Sequence, residues 1–74
     1  MSKLPVLSAD KVVRALKKAG FKIVRQSGSH IHMWKEEGRT LVTVPNHPEL
    51  AKGTLLSIIK QSKMSRDEFL DLIG

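Results

Sequence analysis

The sequence has no cysteine, no tyrosine, and only one tryptophan and two phenylalanines. Without thiols there can be no disulfide staple and no thiolate zinc site, so a modest aliphatic core must hold a chain of 74 residues. At that length little surface is buried and a second domain has no room, so residues 1–74 read as one domain. Long apolar runs are missing too. The stretch Leu4 to Leu7 is broken by Pro5 and soon followed by Asp10 and Lys11, which fits neither a signal peptide nor a transmembrane helix. The expectation is a cytoplasmic protein with no membrane partner. No repeat, low-complexity run or linker interrupts the chain. A Walker loop, a dinucleotide fingerprint, a catalytic Ser or Cys arrangement and paired carboxylates are all absent, so no cofactor is expected.

What the sequence has in excess is positive charge, a formal +6, and its placement is uneven. Residues 1–39 carry nine Lys or Arg against Asp10, Glu36 and Glu37, whereas residues 40–74 carry four of each sign. The whole excess lies in the first half. Such a field is the electrostatic footprint of a polyanionic partner, nucleic acid before an anionic membrane or an acidic protein.

Ser8 as N-cap, Asp10, the apolar positions Val12, Val13, Leu16 and Ala19, then Lys17, Lys18 and Gly20 predict a helix over Ala9–Ala19. Three β-like runs follow, Lys22–Gln26, His30–Lys35 and Arg39–Val44, separated by turns at Ser27 with Gly28 and at Glu36, Glu37 and Gly38. These spacings suit a three-stranded antiparallel meander, with Pro45 closing the third strand because it cannot donate to a ladder. A loop with Asn46, His47 and Pro48 leads to a helix over Lys52–Gln61 whose Leu55, Ile58, Ile59 and Ser62 share a face. Ser65 with Glu68 forms a capping box before Phe69, Leu70, Leu72 and Ile73. The fold class is α+β, in the order α-β-β-β-α-α, with helices on one sheet face and the other face open.

Strand alternation places His30, His32 and Trp34 on the open side and Ile31 and Met33 toward the helices, joined by Val42 and Val44, which leaves Leu41 and Thr43 outward. The first strand is ambiguous between Ile23 and Val24 inward; with Val24 inward, Arg25 shares the face of His30. Two imidazoles and an indole on a basic surface suit RNA cleavage. That reaction needs a base for the 2′-hydroxyl proton, an acid for the leaving 5′-oxygen and positive charge for the transition state, and histidine as a residue type titrates near neutrality. Lys22, Arg25, Lys35 and Arg39 are candidate phosphate contacts, and Trp34 is a candidate platform for an unpaired base.

Blander readings stand beside these. The histidines can be solvated polar residues, Trp34 can be packing, Gly28 can serve only the turn, and His47 reads as a turn or helix-terminus residue. His30, His32 and His47 together are a conceivable zinc or copper platform, but no acidic or thiol ligand accompanies them. A helix-turn-helix built from the last two helices would direct Asp67, Glu68 and Asp71 at phosphates, which excludes it on charge.

Gly20, Phe21, Val24–Arg25–Gln26–Ser27–Gly28–Ser29–His30, then Val42–Thr43–Val44–Pro45 and His47, then Lys52–Gly53–Thr54–Leu55, Ile58 and Gln61 occur in an order and spacing that resemble the HicA (YcfA-like) toxins over nearly the whole chain. The resemblance implies a domain like the double-stranded-RNA-binding fold, α-β-β-β-α, here with an additional C-terminal helix. It implies a metal-independent mRNA endonuclease, the toxin of a toxin-antitoxin pair. It also implies that His30 is catalytic, that Gly28 and Ser29 shape the turn presenting it, and that a HicB-like antitoxin covers the active face. Ile31 and Met33 depart from the residues common in relatives, and His32 and His47 inherit no role; His32 is a second proton carrier on geometry alone. The rival readings are a non-catalytic RNA-binding module and a protein-interaction domain using the same basic face.

Overall fold

Ser8 opens the first helix by accepting the backbone N–H of Lys11 on its Oγ at 3.2 Å, which satisfies one of the donors a helix start leaves unpaired. The computed structural model describes residues 4–73, so the two ends of the single domain read from sequence lie outside the described residues. The elements are α1 (Ala9–Lys18), β1 (Lys22–Ser27), β2 (His30–Lys35), β3 (Thr40–Pro45), α2 (Lys52–Ser62) and α3 (Arg66–Ile73). This is the expected α+β order. Asp10 lies in the first turn of α1 and Lys17 and Lys18 in the last, each complementing the helix dipole. Ala19 proves to be the C-cap rather than a helical residue, and Gly20 follows at φ 102°, in the left-handed region, where it turns the chain toward β1.

The three strands form an antiparallel meander in the order β1-β2-β3. Ser27 pairs with His30, so β1 runs one residue past the expected Gln26 and the first hairpin closes through Gly28 and Ser29 alone. Gly28 sits at φ 55° and Ser29 does not have positive φ, the distribution of a hairpin with glycine at its first loop position. The second turn takes Glu36–Arg39. Arg39 belongs to the turn and not to β3: it has φ 47°, and its N–H donates to the Glu36 carbonyl at 3.0 Å. At the far end Pro45 is the last strand residue, opposite His30, instead of standing just beyond the strand. Its missing N–H costs the ladder nothing at a terminus, and the next amide, Asn46, donates to the Ser29 carbonyl.

Inner-face positions behave as alternation requires. Ile31, Met33, Val42 and Val44 are buried against Val12, Leu16, Leu55, Ile58 and Phe69. The helices lie toward the β3 side, with α1 and α2 packed on β3 and α3 on α1. β1 extends beyond them with all six residues exposed. The predicted inward face of α2 holds throughout: Leu55, Ile58, Ile59 and Ser62 are all buried, and the Ser62 hydroxyl donates to the Ile59 carbonyl at 2.6 Å. The capping box of α3 forms reciprocally, with Glu68 N–H to Ser65 Oγ at 3.1 Å and Ser65 N–H to Glu68 Oε1 at 2.9 Å. Backbone bonds from Ala9 N–H to the His47 carbonyl and from Leu50 N–H to the Leu7 carbonyl tie the first segment to the loop after β3.

Among the described residues no helix is long and apolar enough to cross a membrane.

Candidate functional site on the open sheet face

Register decides which side chains meet on the face away from the helices. Across the meander three rows of partners form: Lys22, Trp34 and Leu41; Arg25, His32 and Thr43; Ser27, His30 and Pro45. The first strand takes the expected alternative with Ile23 inward but adds a slip in register. Ile23 faces inward opposite Met33, the register then slips between Ile23 and Arg25, and Val24 is left over as the extra residue of a β-bulge. Val24 is therefore not inward, yet Arg25 still reaches the open face. Without the slip, strict alternation from Ile23 would have turned Arg25 toward the helices.

His30 begins β2 directly after the Gly28–Ser29 turn and is exposed. Its ring makes no hydrogen bond or ion pair with the described residues, so both nitrogens are free to exchange protons with a bound molecule. A Cβ added at Gly28 would meet nothing within 4 Å, while the Ser29 carbonyl beside it is held by the Asn46 N–H. His32 is held differently. It is half-buried, and its Nδ1 lies 3.2 Å from the Thr43 hydroxyl across the β2–β3 pair. When Nδ1 donates to that oxygen, Nε2 is left as the proton acceptor. Thr43 is fixed in turn: its backbone N–H, on the free edge of β3, donates to Gln61 Oε1 of α2 at 3.0 Å, and Gln61 Nε2 donates to Ser57 Oγ. Residues two apart on a strand have Cα atoms about 6.6 Å apart, so both imidazoles lie within reach of one phosphodiester.

The remaining candidates divide. Lys22 and Arg25 stand on the open face beside Trp34 and His32. Trp34 is half-buried and its indole Nε1 donates to Glu36 Oε2 at 2.7 Å, which fixes the ring and brings a carboxylate to that end of the face. Lys35 points the other way, its ammonium 5.8 Å from the centre of the Phe21 ring on the helix side. Arg39 occupies the turn at the end of β2 remote from His30. The expected cations thus form no single cluster. Four more of the first-half charges, Lys11, Arg14, Lys17 and Lys18, lie on α1, where Arg14 pairs with Asp10 at 2.9 Å and Lys18 donates to the Leu72 carbonyl.

His47 serves the fold through its carbonyl, at the start of α1. No group of three or more His, Cys, Asp or Glu side chains among the described residues gathers where it could hold a metal ion. Leu41 and Thr43 stand outward as alternation expects; sequence reading missed Thr43, Glu36 and Gln61 as partners of site residues, and Val24 as a residue of the face. Thr43 was within reach, since the meander and its turn lengths already place it opposite His32; the other contacts depend on the bulge, the second turn and the docking of α2.

A family model described as the HicA toxin of bacterial toxin-antitoxin matches residues 9–64, from the first residue of α1 to just past α2. No curated protein matches the chain at a significant level.

Proposed function

The chain belongs to the HicA toxin family of bacterial toxin-antitoxin systems, and on that premise we propose that it is an endoribonuclease that cleaves mRNA without a metal ion, with His30 as its catalytic residue. One observation carries the reading: the Gly28–Ser29 turn sets an exposed, unpartnered imidazole at the edge of an open sheet face that also bears Arg25, Lys22 and a positioned second histidine. In the proposed reaction an imidazole takes the proton of a ribose 2′-hydroxyl, the 2′-oxygen bonds to phosphorus, and the bond from phosphorus to the 5′-oxygen breaks. A second proton carrier, His32, protonates the departing 5′-oxygen. Arg25 lies beside the phosphorane-like centre and offsets its added negative charge. The products are a 2′,3′-cyclic phosphate and a 5′-hydroxyl, and no step calls for a metal.

The same face is where a HicB-like antitoxin is proposed to bind, since covering His30 and Arg25 would stop the reaction outright. Purified protein incubated with single-stranded RNA in excess EDTA is expected to produce fragments ending in cyclic phosphate. His30→Ala is expected to lower the rate by at least about 10²-fold with the thermal transition unchanged. Salt-sensitive RNA binding without any product would instead make the chain a non-catalytic RNA-binding module.

A further inference from the structure

The bulge in β1 does more than aim Arg25. Val24 and Leu41, from the two outer strands, are 51% and 52% exposed, although both are large and apolar. Singly such residues need no explanation, but these two converge with Arg25 and His32 around one open hollow of about 320 Å³. That volume sits at the low end of small-ligand sites, ~300–1,000 Å³, and suits one planar ring rather than a folded surface. We propose that this hollow seats one unpaired nucleobase of a single-stranded RNA, with the base laid on the aliphatic surface of Val24 and Leu41. The identity of the polymer rests on the ribonuclease reading above; the hollow and its lining do not.

The lining argues for a base and against other occupants. An apolar floor takes the face of the ring, while Arg25 can stack on it or hold the adjoining phosphate. The His32 ring, fixed by Thr43, presents a constant edge at the wall. Lys22 stands in the neighbouring row, and the nearby carboxylate of Glu36 is engaged by Trp34, so the rim favours an anionic backbone. A base seated here would leave its phosphodiester beside His32 and within one strand step of His30, which ties base recognition to the position of cleavage.

The test uses a fluorescein-labelled 2′-O-methyl oligonucleotide, which cannot be cleaved, and the matching strand with its bases removed, both read by fluorescence anisotropy. Two variants remove the hollow. Val24→Ser with Leu41→Ser takes away the floor; deletion of Val24 abolishes the bulge while leaving Ile23 inward and Arg25 opposite His32. Each is expected to bind the base-bearing strand on the order of tenfold more weakly and the abasic strand as tightly as wild type does. Arg25→Ala is expected to weaken both strands alike. Equal losses on the two strands, or no loss on either, overturn the proposal, as does unchanged RNA binding with lost capture by the antitoxin, which would give the hollow to the protein partner. Because the probe is uncleavable, a failure of catalysis by His30 leaves this result untouched. Circular dichroism should show wild-type folding in the serine variant, since both side chains are half in solvent.

Discussion

Arg25 stands directly opposite His32 in the β1–β2 pair, and it does so only because Val24 is an extra residue in β1. A regular strand would carry Lys22 outward, Ile23 inward, Val24 outward and Arg25 inward beneath the sheet. The one-residue slip returns Arg25 to the open face and pairs a fixed positive charge with an imidazole that Thr43 already orients. The row Arg25, His32 and Thr43 is thus a product of register, and the unpartnered His30 lies in the next row, beside the turn.

Thr43 gives the means to ask whether His32 carries protons. Thr43→Val removes the hydroxyl 3.2 Å from His32 Nδ1 but keeps the backbone N–H that bonds Gln61. If His32 acts in the reaction, kcat should fall on the order of tenfold while RNA affinity holds, and Thr43→Ser should restore it. Steady-state kinetics on the two variants decide it: an unchanged kcat in Thr43→Val leaves His32 a binding residue only.

Much of this architecture is legible in the sequence. Apolar spacing found both core-facing helical stripes, the capping box found α3, and period-two alternation found the buried Ile31, Met33, Val42 and Val44, because each of these signals is local in sequence. The errors came where a single residue changes backbone state. Val24 as a bulge and Arg39 at positive φ are choices a sequence pattern cannot register, since neither residue type demands them. Lys35 illustrates a third kind. Alternation already put it on the side opposite Trp34, yet its charge alone suggested RNA contact, and in the fold it lies over Phe21.

Gly28 allows strain to be separated from crowding. Its φ of 55° disfavours any side chain, while the space around it is empty. Gly28→Ala should therefore cost only the backbone preference, about 1–2 kcal/mol, visible as a modestly lower urea midpoint. If the turn presents His30, the same variant should lose cleavage rate beyond what its stability loss explains, and a wild-type rate would show that His30 does not depend on the turn.

Acid should weaken the attachment of α3. The Glu68 carboxyl is held below the usual carboxylate range, first by the hydrogen bond from the Ser65 backbone N–H and then by the Ser65 hydroxyl. A carboxyl whose folded pKa is depressed adds stability that is complete above its unfolded value and is lost as pH falls through the folded one. Thermal melts of wild type should therefore show falling stability below about pH 4.5. Glu68→Gln should start lower at neutral pH and lose less on acidification, and parallel pH profiles for the two proteins would remove Glu68 from the account.

The family match ends at residue 64, yet Phe69, beyond it on α3, is fully buried and heads the large side chains of the core. α3 packs along α1, and the Lys18 ammonium donates to the Leu72 carbonyl near its end. A helix of eight residues has little stability of its own, so it persists through this packing, and α1 depends on it in return to cover Leu16 and Val12. Phe69→Ala should cost about 3–5 kcal/mol, the usual range for emptying a buried phenylalanine site. A chain of this length has a total stability of roughly 4–11 kcal/mol, so the variant should be at or near the edge of folding at room temperature. Urea unfolding followed by circular dichroism measures it. A loss below about 1 kcal/mol would mean that the segment matching the family closes its core unaided and that α3 is an appendage.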